Sequence, residues 1–168
     1  MAGATAPARH VVVMGVSGSG KSTAGALLAD ALDVPFAEGD SLHSEPARRT
    51  MADGIPLTDE DRWPWLERLA GWMTAHADTG SVVSCSALRH SYRELLCTAE
   101  GTVVFAHLDL PREELCHRLR SRTDHFMPAS LLDSQLSTLE PLAPGEGITV
   151  DGTLPVEQIV EAILAGLS

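Results

Sequence analysis

Short apolar runs alternate along this chain with longer stretches in which apolar residues recur every three or four positions. Residues 10–14 (HVVVM) form the first short run, and the first longer stretch extends from Lys21 to Leu32. Short apolar runs are typical of buried strands, and the longer spacing is typical of helices that bury one face. The pattern predicts further strands at residues 34–37, 81–85, 103–108 and 148–150, and further helices at residues 44–52, 59–77, 92–99, 111–122, 129–139 and 156–164.

Strands that alternate with helices predict a parallel sheet with helices on both faces. Right-handed crossovers then bring the carboxyl ends of the strands to one edge of the sheet, where ligands bind. A chain of 168 residues suits a single domain. We therefore expect a three-layer α/β domain over residues 10–168 and a disordered leader over residues 1–9.

The composition argues against several classes of partner. The formal net charge of −11 argues against nucleic acid, whose binding needs a basic surface. No apolar run approaches the roughly 18 residues of a membrane span, so no membrane partner is expected. Three cysteines without CxxC spacing fit a reducing, cytoplasmic environment. Basic residues are arginines with a single exception, Lys21.

A glycine-rich motif, here called the phosphate loop, lies between the first predicted strand and the first predicted helix. Residues 15–22 (GVSGSGKS) match the pattern G-x-x-x-x-G-K-[ST] in full. Glycines let backbone N–H groups turn inward around phosphates, and the helix N-terminus adds partial positive charge. Lys21 is expected to reach the β- and γ-phosphates in catalysis, and the Ser22 hydroxyl is expected to ligate Mg²⁺. The ATP-binding residues predicted in this segment are Gly15, Ser17, Gly18, Ser19, Gly20, Lys21, Ser22 and Thr23.

Other nucleotide-binding classes need motifs that this sequence lacks. GTPases carry an Asn-Lys-x-Asp motif, whereas the one lysine of this chain lies in the phosphate loop. The signature loop of transporter ATPases is also absent. These absences favour a compact kinase for a small molecule. The alternative interpretation of residues 15–22 is a glycine- and serine-rich turn between strand and helix that binds nothing.

Six segments together resemble the bacterial gluconate kinase family. They are MGVSGSGKST (14–23), GDSLH (39–43), PLTDEDRWPWL (56–66), CSALRHSYRELL (85–96), HFMP (125–128) and LLDSQLSTLEP (131–141). The resemblance covers nearly the whole chain and implies ATP- and Mg²⁺-dependent phosphorylation of D-gluconate to 6-phospho-D-gluconate. It also implies a homodimer with a P-loop kinase fold like that of nucleoside monophosphate kinases. In that fold, substrate-side helices occupy about residues 40–77 and a mobile lid occupies about residues 118–130.

Five positions depart from the residues that are usual in this family. Ser44 stands in place of Pro, Ala47 in place of Asn and Thr50 in place of Lys on the predicted substrate-side helix. Arg89 replaces Lys, and Ser91 replaces His. The first three departures leave open a kinase for another small sugar acid or polyol, such as shikimate. A sensor that binds nucleotide without catalysis is a further alternative, against which the intact phosphate loop argues.

Two acidic residues follow the second predicted strand, at the edge expected to face the phosphate loop. Asp40 is expected to accept or orient the proton of the substrate hydroxyl, in a reaction that depends mainly on positioning and charge neutralisation. Glu38 is a candidate to hold Mg²⁺ through a water molecule, because the third strand (SVVSCS) lacks a metal-orienting Asp. The alternative for Asp40 is a turn or helix cap.

Polar side chains near the same edge are candidates to bind the acceptor substrate. Arg93 is the strongest candidate for a sugar-acid carboxylate, because a guanidinium binds a carboxylate through two hydrogen bonds. Its alternative is a surface ion pair with Glu94 or Glu100. Arg62 is equally compatible with the carboxylate and with a neighbouring acid. The predicted substrate-binding set is Asp40, His43, Arg62, Arg89, Arg93, His125 and Gln135.

Arginines also precede the predicted lid. Arg118 and Arg122 share one helical face, and we expect both to contact the nucleotide phosphates, with Arg122 also catalytic. Arg120 points elsewhere. A solvated helix face is the alternative for all three arginines. His125 is expected to contact the substrate or to serve as the hinge of the lid.

Overall fold

The computed structural model describes residues 9–55, 57–121 and 129–167 of the chain. Its strands are β1 (Arg9–Met14), β2 (Phe36–Glu38), β3 (Ser81–Ser84), β4 (Thr102–Asp109) and β5 (Gly147–Asp151). Its helices are α1 (Lys21–Leu32), α2 (Glu45–Ala52), α3 (Asp59–Ala75), α4 (His90–Leu96), α5 (Arg112–Ser121), α6 (Ala129–Thr138) and α7 (Val156–Leu167). A short 3-10 helix, Gly39–Leu42, follows β2 directly.

The strands form one parallel sheet in the order β2-β3-β1-β4-β5. Central β1 pairs through Val11 with Val82 of β3 and with Val104 of β4. Successive strand side chains point to opposite faces, and Val11, Val12 and Val13 are all fully buried, so both faces are covered. This arrangement confirms the predicted three-layer α/β fold. From β1 the chain continues to β2 and β3 on one side of the sheet and then to β4 and β5 on the other, so the strand order reverses at β1. Sheets of this kind bind ligands at the carboxyl ends of the strands where the order reverses.

The helices bury apolar faces against this sheet. On α3, Leu66, Leu69 and Met73 recur every three or four positions and are fully buried. Thr58 Oγ1 accepts a hydrogen bond from Asp61 N, and Asp61 Oδ2 accepts one from Thr58 N, so a capping box fixes where α3 begins. Across the described ranges, none of the helices combines the length and apolar character needed to cross a bilayer.

Several predicted boundaries differ from the observed ones, most of them by one to three residues. β2 begins after Pro35 instead of before it, because proline has no N–H to donate to a strand ladder. α4 begins at His90, which is earlier than the periodicity predicted. Arg9 was expected at the end of a leader, but it is the first residue of β1 and pairs with Thr102 of β4. The rest of that predicted leader, residues 1–8, lies outside the described ranges.

A close contact between Gly39, directly after β2, and Ser84, at the end of β3, fixes the carboxyl edge of the sheet at this point. A β-carbon built on Gly39 would overlap the Ser84 carbonyl oxygen. Gly39 N also donates to Ser84 Oγ at 3.3 Å, and Trp65 Nε1 donates to Gly39 O at 2.8 Å. This position therefore excludes any side chain, and its hydrogen bonds hold the next residue, Asp40, at the carboxyl edge.

We expect Gly39→Ala to lower the free energy of unfolding by about 1–3 kcal/mol, because the added methyl group forces β2 and β3 apart. Gly71→Ala is the matched control. Gly71 lies within α3 with no atom inside 4 Å of the added carbon, so this change should stabilise the helix by up to about 1 kcal/mol. Urea unfolding monitored by circular dichroism measures both. A Gly39→Ala protein as stable as the wild type would contradict the contact.

Candidate active site

The phosphate loop connects β1 to α1 through a backbone that favours glycine. Gly15, Gly18 and Gly20 have φ values of 147°, 87° and 91°, a region that side chains disfavour. A β-carbon on Gly15 would also lie 2.9 Å from Ser19 Oγ. The Ser19 hydroxyl is buried and has no hydrogen-bond partner among the described residues. This cradle at the N-terminus of α1 is suited to an anion such as a nucleotide phosphate.

Hydrogen bonds within the protein connect the phosphate loop to α6. Ser17 N donates to Gln135 Oε1 at 2.8 Å, and Gln135 Nε2 donates to Ser17 Oγ at 3.2 Å. Lys21 Nζ donates to Val16 O at 3.1 Å. Gln135 was predicted on the acceptor side, and the structure places it directly against the loop as well.

One cavity of about 700 Å³ extends from the phosphate loop to helices α2, α3 and α6. Its walls include Lys21 and Ser22 at one end and Asp40 at the carboxyl end of β2. The structure therefore brings together the predicted phosphate-binding group and the predicted proton acceptor. The predicted residues that line this cavity are Ser17, Lys21, Ser22, Glu38, Asp40, His43, Arg62 and Gln135.

A serine hydroxyl and a carboxylate meet beside the loop. Ser22 Oγ donates a hydrogen bond to Glu38 Oε1, and Ser84 Oγ donates to the same oxygen at 3.4 Å. Oxygen ligands of this kind suit Mg²⁺, which usually binds one or two side chains together with substrate phosphates. Within the described part of the chain, no group of three His, Cys, Asp or Glu residues forms a metal site. The pair therefore fits a magnesium ion that arrives with a nucleotide.

His43 forms part of the cavity wall as a neutral imidazole. Its ring stacks on Trp65 with 4.0 Å between centroids, and the residue is 7% exposed. Burial lowers the pKa of His43 to about 4; Asp40 opposes this shift, and the arginines at positions 48, 62 and 68 reinforce it. Nδ1 is buried and has no hydrogen-bond partner among the residues described. The ring therefore presents a hydrogen-bonding atom that a polyhydroxy ligand could use.

Arg62 lines the cavity and also contacts an acid. Its Nη1 donates to Tyr92 OH at 2.7 Å and lies 3.7 Å from Asp59 Oδ1. Tyr92 OH donates in turn to Asp59. Burial, followed by this hydrogen bond, raises the pKa of Tyr92. The structure shows the contact with a neighbouring acid, and a contact of Arg62 with a substrate carboxylate stays a prediction.

Arg93 does not lie where its predicted role requires. The side chain is 1% exposed, and its Nε donates to Glu146 Oε2 at 2.9 Å. Nη1 donates to Ala87 O at 2.8 Å and Nη2 to Glu140 O at 2.9 Å. Its guanidinium holds α4 to the 140–146 segment and does not line the cavity, so the structure contradicts the predicted grip on a substrate carboxylate. The alternative partners Glu94 and Glu100 are also not the ones found.

The remaining predicted arginines differ in position. Arg89 is half exposed, and its Nη1 lies 3.9 Å from Asp59 Oδ2. This residue does not line the cavity. Arg118 donates to Glu114 Oε1 and to Gly152 O, each at 3.1 Å. Its Nη1 would be 3.7 Å from a β-carbon on Gly20, so it lies beside the phosphate loop. Two further candidates, Arg122 and His125, fall in residues 122–128 and lie outside the described ranges.

Sequence reasoning missed Arg48. This residue and Met51 lie one turn apart on α2, and both line the cavity. The spacing between them was the available signal, but it shows that they share a face without showing what that face meets.

A phosphate loop and a carboxylate in one cavity, on this parallel sheet, define a small-molecule kinase of the P-loop class.

Comparisons with known proteins agree with this class. The family model for shikimate kinase matches residues 17–141. A gluconokinase from Gluconobacter oxydans is 45% identical over 161 residues, which cover 93% of this chain and 89% of the relative. A solved gluconokinase from Sinorhizobium meliloti is 45% identical with a TM-score of 0.87 over 97% of this chain and 93% of that chain. A solved sugar kinase from a Janibacter species is 53% identical with a TM-score of 0.91 over 96% and 95%.

The chain belongs to the gluconokinase family, within the broader group that the shikimate kinase model describes. It is therefore an ATP-dependent small-molecule kinase, as the sequence predicted.

Arg93→Met should lower the free energy of unfolding by about 3–5 kcal/mol, because it removes the buried cation paired with Glu146 and leaves Ala87 O and Glu140 O without their donor. In the folded fraction, measured at low temperature, KM for the acceptor should not change. Arg112→Met is the control, because the Arg112–Asp133 pair is half exposed and its loss should matter far less. Thermal unfolding and steady-state kinetics measure the two effects. A stable Arg93→Met protein with a raised acceptor KM would restore the substrate role that the geometry contradicts.

Proposed function

We propose that this protein transfers the γ-phosphoryl group of ATP to the 6-hydroxyl of D-gluconate, giving 6-phospho-D-gluconate and ADP. The observation that carries the proposal is that Lys21, Ser22 and Asp40 line the same cavity. Its volume of about 700 Å³ lies within the range of roughly 300–1,000 Å³ that is typical of small-molecule sites. The gluconokinase relatives, which match nearly the whole chain, support gluconate as the acceptor.

In this proposal the phosphate loop binds the nucleotide. Backbone N–H groups of residues 15–22 surround the phosphates, Thr23 continues the first turn of α1, and Lys21 neutralises charge on the β- and γ-phosphates. Arg118, beside Gly20, approaches the same phosphates. Ser22 and Glu38 would hold Mg²⁺, which supplies further neutralisation of phosphate charge when bound.

Asp40 prepares the acceptor in this mechanism. Its carboxylate forms no ion pair within the described part of the chain and faces the cavity shared with the loop. It accepts the proton of the 6-hydroxyl as that oxygen bonds to the γ-phosphorus, while the bond to the β,γ-bridging oxygen breaks and ADP leaves. Phosphoryl transfer depends mainly on alignment and charge stabilisation, so the mechanism relies on the position of the Asp40 carboxylate.

Other residues of the cavity wall orient the sugar acid. Neutral His43, whose Nδ1 has no hydrogen-bond partner among the described residues, provides a hydrogen-bonding group for the chain of hydroxyls, and Gln135 provides another beside the phosphate loop. Arg62 adds positive charge at the wall. Arg89 and Arg93 take no direct part, because neither lines the cavity. Closure of a lid, with Arg122 on the γ-phosphate and His125 near the substrate, stays a prediction.

Shikimate is the second candidate acceptor, because the shikimate kinase model matches residues 17–141. Both acceptors are small hydroxy acids, so the same phosphate loop and Asp40 would serve either one. The much higher identity to gluconokinases favours gluconate. A sensor without catalysis is less well supported, since the loop and Asp40 share one cavity.

Three further features belong to the proposal. Magnesium is the expected metal, from the chemistry of the Ser22 and Glu38 oxygens. A homodimer is expected from the family resemblance alone. A cytoplasmic location is expected from the scattered cysteines, of which Cys85, Cys97 and Cys116 are all free.

The purified protein with ATP, Mg²⁺ and D-gluconate should release ADP and 6-phospho-D-gluconate, with shikimate far less active in the same coupled assay. Asp40→Asn should lower kcat by about 100- to 10,000-fold, because the amide cannot accept the proton. Its affinity for ATP should not change.

Asp30→Asn, on the exposed side of α1, serves as the control with wild-type turnover. Absence of product from gluconate would refute the assigned substrate. Full activity of Asp40→Asn would refute the assigned base.

A further inference from the structure

Arg48 is held at the cavity wall by the backbone before α2. Its Nη2 donates to Ser41 O at 2.7 Å, which fixes the guanidinium across the turn from the 3-10 helix into α2. Both Arg48 and Ser41 line the cavity. A guanidinium has five N–H donors, so this one hydrogen bond leaves others for a ligand.

The two arginines that line the cavity within the described part of the chain differ in how their charge is balanced. Arg62 is paired with Asp59 at 3.7 Å and with the Tyr92 hydroxyl. Arg48 has no carboxylate within ion-pair distance among the described residues, although its neighbour Arg49 pairs with Glu45 at 3.4 Å outside the cavity. The cavity therefore contains one arginine whose positive charge no described acidic side chain neutralises.

Neither His43 nor Lys21 provides a positive charge for the acceptor. His43 is neutral near pH 7, since burial lowers its pKa to about 4. Lys21 belongs to the phosphate loop. Arg48 Nη2 donates to the carbonyl oxygen of Ser41, the residue after Asp40, and both Arg48 and Asp40 line this cavity, so an acceptor held at Asp40 shares the cavity with the Arg48 guanidinium. A planar guanidinium binds a carboxylate through two parallel hydrogen bonds.

We propose that Arg48 is the specificity determinant of this cavity and binds the carboxylate of the acceptor, so that the site selects hydroxy acids over neutral polyols. This inference rests on the proposed function and deepens it, because it assigns the acid end of the substrate to a particular residue. Arg62, in contrast, mainly positions Tyr92 and the start of α3.

The test compares Arg48→Gln, Arg48→Lys and the adjacent control Arg49→Gln in steady-state kinetics with ATP and D-gluconate. Arg48→Gln should raise KM for gluconate roughly 10- to 100-fold, because it removes a charge-assisted pair formed in both the ground state and the transition state. Its kcat and its KM for ATP should stay within about threefold of wild type. Arg48→Lys should recover part of the loss, since it restores the charge without the planar fork.

The outcomes separate this inference from the function on which it rests. If wild-type protein makes no 6-phospho-D-gluconate, the proposed function fails and the inference fails with it. If wild type is active but Arg48→Gln has the gluconate KM of Arg49→Gln, the inference alone is overturned. An equal rise in KM for ATP and for gluconate would also overturn it, because it would indicate general disturbance of the site.

Discussion

The hydrogen bond from Ser22 Oγ to Glu38 joins the two halves of the site. Ser22 is the last residue of the phosphate loop and lies in the first turn of α1, whereas Glu38 ends β2, which is separated from β1 in the sheet by β3. The contact therefore connects the element that binds phosphate to the element that carries Asp40. The close approach of Gly39 to Ser84 fixes the same edge from the other side. The position of Asp40 relative to the phosphate loop thus depends on the packing of β2 against β3 and on the contact between Ser22 and Glu38.

The distribution of charge explains how a chain of net charge −11 can bind two anionic substrates. Within the described residues, three cationic side chains line the cavity: Lys21 from the phosphate loop, Arg48 from α2 and Arg62 from α3. Burial keeps the imidazole of His43 neutral, so it can accept or donate a hydrogen bond without adding charge. The overall acidity of the surface therefore says little about the cavity, because local charges dominate at short distances.

Sequence reasoning predicted the fold and the phosphate loop because both depend on local patterns. The valine run of β1 and the glycines at positions 15, 18 and 20 are each interpretable within a few residues. It failed for Arg93, whose partner Glu146 returns from a distant segment of the chain. It missed Arg48 for the same reason, because helical spacing does not show which surface a helix covers. Charged side chains are thus harder to assign than strands, since their roles depend on tertiary neighbours.

The most direct test of the account is a crystal structure with a non-hydrolysable ATP analogue, Mg²⁺ and D-gluconate bound together. The measurement is the distance between the Asp40 carboxylate and the 6-oxygen of gluconate. The account predicts about 2.6–3.2 Å, with that oxygen facing the γ-phosphorus at about 3–3.5 Å. A gluconate molecule bound with its 6-hydroxyl away from Asp40, or an Asp40 side chain turned out of the cavity, would contradict it.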